Sequence, residues 1–143
     1  MDFSELISDF AVRHGVEGLA AEDGAAAIEV DGIAVLLATA GGTLLATAEI
    51  GDPPPEGAAA FADLLLEANL ESDAAFAKSQ ESGRYVLTRR CALAGLDGEA
   101  FDAALEAFVN RAEAWRKLLA DYRPAAAAAA EAAAVGIGSF MQV

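Results

Sequence analysis

The sequence predicts a single α+β domain, in which helices pack against a twisted antiparallel sheet in the order α-β-β-β-α-β-β-α. Asp31-Gly32 and Gly41-Gly42 each separate short apolar runs, which is typical of two-residue hairpin turns because both turn positions tolerate positive φ. Stretches with apolar residues three or four positions apart flank these runs and predict amphipathic helices. A chain of 143 residues is long enough to bury one hydrophobic core.

The composition excludes several classes of protein. The chain is 55% hydrophobic with a net charge of -14, which argues against disorder, and it has no run of about 18 large apolar residues to cross a membrane. The first five residues lack the basic flank of a signal peptide. The acidic surplus disfavours nucleic acid, because phosphates would be repelled. The single cysteine, Cys91, cannot form an internal disulfide, and this favours a cytoplasmic location.

The first helix is predicted over Phe3–His14. Asp2 or Ser4 can cap its start, and Gly15 is placed to end it. Apolar residues at helical spacing share one face: Phe3, Leu6, Ile7 and Phe10.

Three strands are predicted next, at residues 26–30, 33–37 and 43–50, and together they form a meander. The second of these strands is apolar on both faces. Both faces therefore require a covering layer.

Asp52 and the three prolines after it form a stiff break, and the second helix is predicted over residues 56–70. Leu66 and Leu70 extend its apolar surface to a second face. So broad an apolar surface exceeds what one small sheet covers, and it predicts contact with a second copy of the chain. The residues of the main apolar face are Phe61, Leu64, Leu65 and Ala68.

A strand pair and a long helix complete the domain. The strands are predicted at Ala74–Lys78 and residues 84–90. Asp97 is the expected cap of the third helix, and Glu99 lies in the first turn, where the helix dipole favours a negative charge. The helix carries one continuous apolar stripe, composed of Phe101, Ala104, Leu105, Phe108, Ala112, Trp115, Leu119 and Tyr122.

The domain is predicted to span residues 1–123, and residues 124–143 form an alanine-rich tail. Alanine has the highest helix propensity but little side chain to pack. Two interpretations stay open: a frayed segment, or a segment that docks Phe140 and Met141 on an apolar groove of another copy.

No combination of residues indicates an enzyme, a metal site or a cofactor. His14 is the only histidine, and it lies at a helix end where the dipole favours it. Cys91 lies beside two arginines but has no second cysteine and no paired histidine. The acidic residues of the second helix have the spacing of a solvated face. We therefore expect no catalytic residue.

Three segments of this arrangement carry a family resemblance. They are Leu-Glu-Ala-Asn-Leu within residues 65–70, Ser-Gly-Arg-Tyr-Val-Leu at residues 82–87, and Leu-Ala-Gly-Leu-Asp at residues 93–97, leading to Phe-Val-Asn-Arg-Ala-Glu-Ala-Trp-Arg at residues 108–116. The chain resembles the class I type III secretion chaperones, the Tir-chaperone family. The resemblance covers residues 3–123.

The resemblance implies a homodimeric chaperone that works without nucleotide. It would bind an N-terminal segment of a secreted effector in extended form and keep it soluble and competent for export. A sheet edge can take the backbone of such a client, and apolar grooves can take its side chains. The implied client grooves use helix one and the adjoining sheet face: Phe3, Leu6, Ile7, Phe10, Ile33, Val35 and Leu37. The implied dimer contact uses Phe61, Leu64, Leu65, Ala68 and Phe76.

Alternatives remain at this stage. Leu36, on the other face of strand two, is expected to pack beneath helix three, although the residues alone permit either orientation of that strand. The apolar residues of helix one have a second interpretation as ordinary core. A dimeric adaptor or regulatory protein of the same fold, which would bind a folded partner, is the alternative function.

Overall fold

The computed structural model describes residues 1–124, which form three helices and five strands. In chain order they are α1 (Phe3–His14), β1 (Ala25–Val30), β2 (Ile33–Ala40), β3 (Thr43–Gly51), α2 (Ala58–Ala68), β4 (Ala74–Lys78), β5 (Tyr85–Ala92) and α3 (Gly98–Ala120). The predicted element order is confirmed. Helix α2 is shorter than predicted, because it begins only after Gly57 and ends at Ala68. Residues 125–143 of the predicted tail, with Phe140 and Met141, lie outside the described residues.

Two tight turns set the register of the first three strands. Asp31 and Gly32 have φ values of 51° and 79°, and Gly41 and Gly42 have values of 57° and 82°. These positive angles match the twist of the flanking strands in a two-residue hairpin. The first turn brings Val30 opposite Ile33. Both predicted hairpins are confirmed.

The five strands form one antiparallel sheet in the order β1-β2-β3-β5-β4. Within the described residues, β1 pairs only with β2 and β4 only with β5, so these two strands are the edges of the sheet. Tyr85, Leu87 and Arg89 of β5 lie on the same face as Phe76 of β4.

All three helices pack on one face of the sheet. Phe10 of α1 meets Phe101 of α3 edge-to-face, with ring centroids 5.7 Å apart. Phe61 of α2 stacks on Tyr85 of β5 at 5.6 Å and meets Trp115 of α3 at 6.1 Å. These contacts join the three helices through one core.

The face of β2 that lies beneath the helices is the opposite of the one expected. Ile33, Val35 and Leu37 lie beneath the helices and are buried, whereas Leu36 is 53% exposed on the opposite face. The prediction that Leu36 packs beneath helix three is therefore wrong. The register explains this, because Glu29 lies opposite Ala34 and thus shares a face with Leu36. A carboxylate on that face directs it toward solvent.

The face of the sheet opposite the helices carries no buried residue, so no described element covers it. We call it the open face. Its side chains are mostly small or apolar, with three charged residues among them. They are Ala25, Ala27, Glu29, Ala34, Leu36, Ala38, Leu45, Thr47, Glu49, Ala75, Ala77, Val86, Thr88 and Arg90.

Side-chain bonds join the end of α1 to the start of α3. The Arg13 guanidinium donates to Asp9 at 2.7 Å, to the Gly98 carbonyl at 3.2 Å and to both carboxylate oxygens of Asp102. The Nε2 atom of His14 lies 2.9 Å from the same Asp102 carboxylate. Hydrogen bonding by Arg13, and secondarily by His14, lowers the pKa of Asp102 below its ordinary value of 3.8.

The depressed pKa of Asp102 predicts a pH-dependent contribution to stability. Because the folded-state pKa lies below the unfolded one, the contribution is present above the ordinary value and is lost as the pH falls through the folded-state pKa. We expect Asp102→Asn to lower Tm by about 2–5 °C at pH 7, and this difference to shrink below pH 4. Thermal unfolding from pH 2 to pH 7 measures it, with Asp63→Asn on the exposed surface of α2 as control. A Tm difference that does not change with pH would contradict the assignment.

Candidate functional site

The seven predicted client-binding residues all lie inside the hydrophobic core. On α1 and β2 they form part of one buried cluster beneath the helices: Phe3, Leu6, Ile7, Phe10, Ile33, Val35 and Leu37. A client could reach most of these side chains only if α1 left the sheet. The structure thus brings the predicted residues together, but as packing residues of a single chain. Their role in client binding stays a prediction.

Phe10 is the predicted residue that borders an open cavity. This cavity has a volume of about 340 Å³ and lies between the end of α1, the β1–β2 turn and α3. Its apolar lining comes from Phe10, Val30 and Leu105, and its polar lining from His14, Asp31, Asp102, Glu106 and Asn110. The cavity therefore suits a side chain with an apolar body and a polar end.

The outer edge of β1 offers unpaired backbone groups beside this cavity. Ala25 already exchanges two backbone hydrogen bonds with Glu22, at 2.8 and 2.9 Å. Because backbone groups alternate in direction along a strand, the N–H and C=O groups of Ala27 and Glu29 face the same outer edge. Two residues of β1 are therefore available for strand addition.

The predicted dimer residues divide into two groups. Phe61, Leu65, Ala68 and Phe76 are buried within the protomer, where they hold α2 against β4 and β5, and only Leu64 is exposed. The Asn69 side chain ties the end of α2 to the Phe76 backbone, with hydrogen bonds of 2.6 and 3.2 Å. The dimer contact itself stays a prediction. The exposed leucines near α2 are Leu64, Leu66 and Leu70, and Leu66 is 64% exposed.

An apolar groove of about 340 Å³ runs beside these leucines, between α2 and the edge strand β4. Ala59, Ala62 and Leu66 line it on the helix side, and Phe76 and Ala77 on the strand side. The polar side chains that line it are Lys78 and Tyr85, and burial raises the pKa of the Tyr85 phenol. The groove can bind an apolar surface.

Two kinds of site are missing from the described residues. Residues 1–124 contain no cluster of three or more histidine, cysteine, aspartate or glutamate side chains able to hold a metal ion. None of the helices in this range has the length and apolar character needed to span a bilayer.

Sequence reasoning missed the open face and the backbone edge at Ala27 and Glu29. The signal for both was present in the hairpin spacing, because the Asp31-Gly32 turn places Glu29 opposite Ala34. Combining that register with Glu29 and Glu49 would have identified the solvent side of the sheet.

Comparison with known proteins bears on the function of these surfaces. A sequence model of the Tir chaperone protein (CesT) family matches residues 5–116. No curated protein is significantly similar in sequence.

Three solved structures share the fold. The ExsC–ExsE complex has 25% identity and a TM-score of 0.71, covering 83% of this chain and 97% of that one. The Yersinia pestis type III secretion chaperone SycH, bound to a stable fragment of YscM2, has 22% identity and a TM-score of 0.64, covering 80% and 99%. YbjN, a candidate transcription regulator from E. coli, has 14% identity and a TM-score of 0.60, covering 81% and 90%.

The burial of Phe10 generates a stability prediction. We expect Phe10→Ala to lower the free energy of unfolding by about 3–5 kcal/mol, because it empties a packed aromatic site. Val12→Ala on the same helix is the control, since Val12 is 83% exposed and its truncation should change stability by less than about 0.5 kcal/mol. Urea unfolding measures both. Equal stabilities of the two variants would show that the Phe10 ring is a surface group.

Proposed function

The chain belongs to the Tir chaperone protein (CesT) family, and we propose on this premise that it is a type III secretion chaperone. It binds an N-terminal segment of an effector in extended form and keeps that segment soluble and secretion-competent, without nucleotide. The family match over residues 5–116 carries this conclusion, since it spans every described helix and strand almost completely. Such work requires apolar surface and free backbone groups, and no covalent step.

The client segment binds at the β1 side of the molecule. An extended segment that pairs with Ala27 and Glu29 adds a sixth strand to the sheet. Alternate side chains of an added strand point to opposite faces, so one set reaches the cavity bordered by Phe10 and Val30. The other set lies over the open face. The predicted residue Phe10 contributes through the rim of this cavity.

The open face continues the client surface beyond the added strand. Leu36 is its most exposed large apolar side chain, and alanines of β1 and β2 surround it. Leu45 and Val86 extend the apolar character toward the other edge. An unfolded segment that covers these residues removes its own apolar side chains from water, which is what maintains its solubility.

Two copies of the chain associate through the α2 side. Leu64 and Leu66 project from a helix whose other apolar residues already fill the protomer core, and Leu70 is exposed just beyond its end. The neighbouring groove along β4 provides a complementary apolar surface. This contact lies at the opposite end of the sheet from β1, so a homodimer leaves both client edges free.

A dimeric adaptor that binds a folded partner is the second candidate function. It is favoured by the likeness of the fold to YbjN, although an identity of 14% relates the folds only. Co-expression with effectors encoded by neighbouring genes, followed by limited proteolysis of the complex, separates the two functions. A protected long, non-globular segment supports the chaperone, and a protected compact domain supports the adaptor.

Leu36 provides the sharpest test of the client surface. We expect Leu36→Asp to weaken effector binding by at least about tenfold, because a carboxylate would be desolvated beneath the client, with a Tm within about 2 °C of wild type. Leu118→Asp is the matched control, since Leu118 is 54% exposed but lies on α3. Isothermal titration with the co-expressed effector segment measures the affinities. Equal losses in both variants would remove the open face from the client site.

Leu66 tests the dimer in the same way. We expect Leu66→Asp to convert a dimer to folded monomers, since the carboxylate would be buried between two copies. Analytical ultracentrifugation gives the mass, and circular dichroism verifies that the fold is retained. Leu118→Asp again serves as the control. A dimer that persists in Leu66→Asp would place the contact elsewhere.

A further inference from the structure

Two arginines in the core layer have no hydrogen-bond or ion-pair partner within residues 1–124. Arg89 lies on the helix-covered face of β5, and Arg111 lies on α3. The Nε atom of each is inaccessible to solvent and has no hydrogen-bond partner. Within residues 1–124, neither guanidinium forms an ion pair, although the chain has 23 acidic and only 9 basic residues.

The two arginines line one cavity of about 380 Å³, between the α2–β4 loop and α3. Small residues flank Arg89, since Ala46 and Ala74 are its partners on the neighbouring strands. The Cζ atom of Arg111 lies 5.8 Å from the centre of the Phe76 ring, which orients its guanidinium by a cation–π contact. Phe108 adds an apolar wall.

Placing the guanidinium groups of Arg89 and Arg111 in one cavity is unfavourable when no anion is bound between them. Two like charges share a partly dry space, and their donors are incompletely satisfied. Within residues 1–124, the two Nε atoms are the only buried side-chain nitrogen or oxygen atoms without a hydrogen-bond partner, so the terminal Nη groups remain open to a ligand. A planar carboxylate matches guanidinium donors better than any other group that a polypeptide carries.

We propose that this cavity is a carboxylate-binding pocket, in which Arg89 and Arg111 hold a glutamate or aspartate side chain from a part of the bound effector beyond the segment that pairs with β1. The identity of the donor polypeptide rests on the proposed function, whereas the chemistry of the pocket does not. The methylene groups of the incoming residue pack on Phe108, and its carboxylate accepts hydrogen bonds from the Nη groups.

Glu71 and Asp73 also line the cavity, and both are exposed. They form no ion pair with either arginine, because the described salt bridges involve other residues. Their negative charges repel an incoming carboxylate. The pocket therefore selects a ligand whose carboxylate contacts the guanidinium groups directly, since only that contact outweighs the repulsion. Glu71→Gln should therefore strengthen binding about two- to fivefold.

The pocket is tested first with a small probe on the full chain. N-acetyl-glutamate N-methylamide is titrated while the arginine Nε–Hε signals are followed by NMR, and N-acetyl-glutamine N-methylamide is the neutral control. We expect the Arg89 and Arg111 signals to shift with millimolar affinity for the glutamate probe only. Arg89→Met and Arg111→Met, which keep the apolar stem, should each weaken this affinity at least about fivefold, while Lys117→Met on the exposed side of α3 should not. Equal shifts with both probes, or none, would overturn the pocket.

The source of the carboxylate is tested in the complex. Arg111→Met should weaken binding of the co-expressed effector about tenfold relative to Lys117→Met, which removes an exposed positive charge of α3 outside the client surface. If the effector binds both variants equally, this inference fails while the chaperone function stands; if wild type binds no effector, the function fails whatever the probe shows. Glu131 is the acidic residue of the alanine-rich tail. If the arginine signals of Glu131→Gln differ from those of wild type without any probe, the chain fills its own pocket. Signals that shift on dilution would mean that a second copy fills it, and either result would overturn the assignment to the effector.

Discussion

The register of the β1–β2–β3 meander is the constraint on which the rest of the structure depends. Positive φ angles at Asp31 and Gly32 permit a two-residue turn, and that turn leaves one alignment of the strands. A shift of a single residue would exchange the two faces. In the observed alignment Ile33, Val35 and Leu37 of β2 lie under the helices, whereas Leu36 lies on the opposite side with Glu29 and Glu49. The open face and the free backbone edge of β1 both follow from that choice.

The sequence predicted the elements well, because each depends on local chemistry. One or two residues determine each of these local features: the Asp2 and Asp97 caps, the glycine that ends α1 and the two hairpin turns. It did not determine which residues of the predicted site are buried, because burial depends on residues far apart in the chain. Phe10 looks like a groove residue until Phe101, 91 positions later, is seen against its ring. Likewise, the apolar breadth of α2 was recognised, but the division between Leu65 inside and Leu66 outside required the position of β4.

The placement of all helices on one face divides the protein into regions with different tasks. The helix layer supplies stability through one continuous core that joins α1, α2 and α3. The two edges of the sheet lie at opposite ends, so the proposed client contact at β1 and the proposed dimer contact near β4 would not compete. The net charge of -14 keeps such a molecule in solution despite its exposed apolar area, since separate copies repel one another. Arg89 is an exception inside the core layer, because its charge is placed where apolar packing alone would favour a leucine.

Alanine is the most frequent residue on the open face, and this composition has a consequence for selectivity. Methyl groups provide contact area, but they form no deep pockets that would distinguish leucine from valine or methionine. A client bound over such a surface is recognised by its extended shape and its overall hydrophobicity. Backbone pairing along Ala27 and Glu29 is likewise independent of the client's side chains. A chaperone with such a surface tolerates sequence changes in its effector. The two proteins can therefore evolve at different rates and still bind each other.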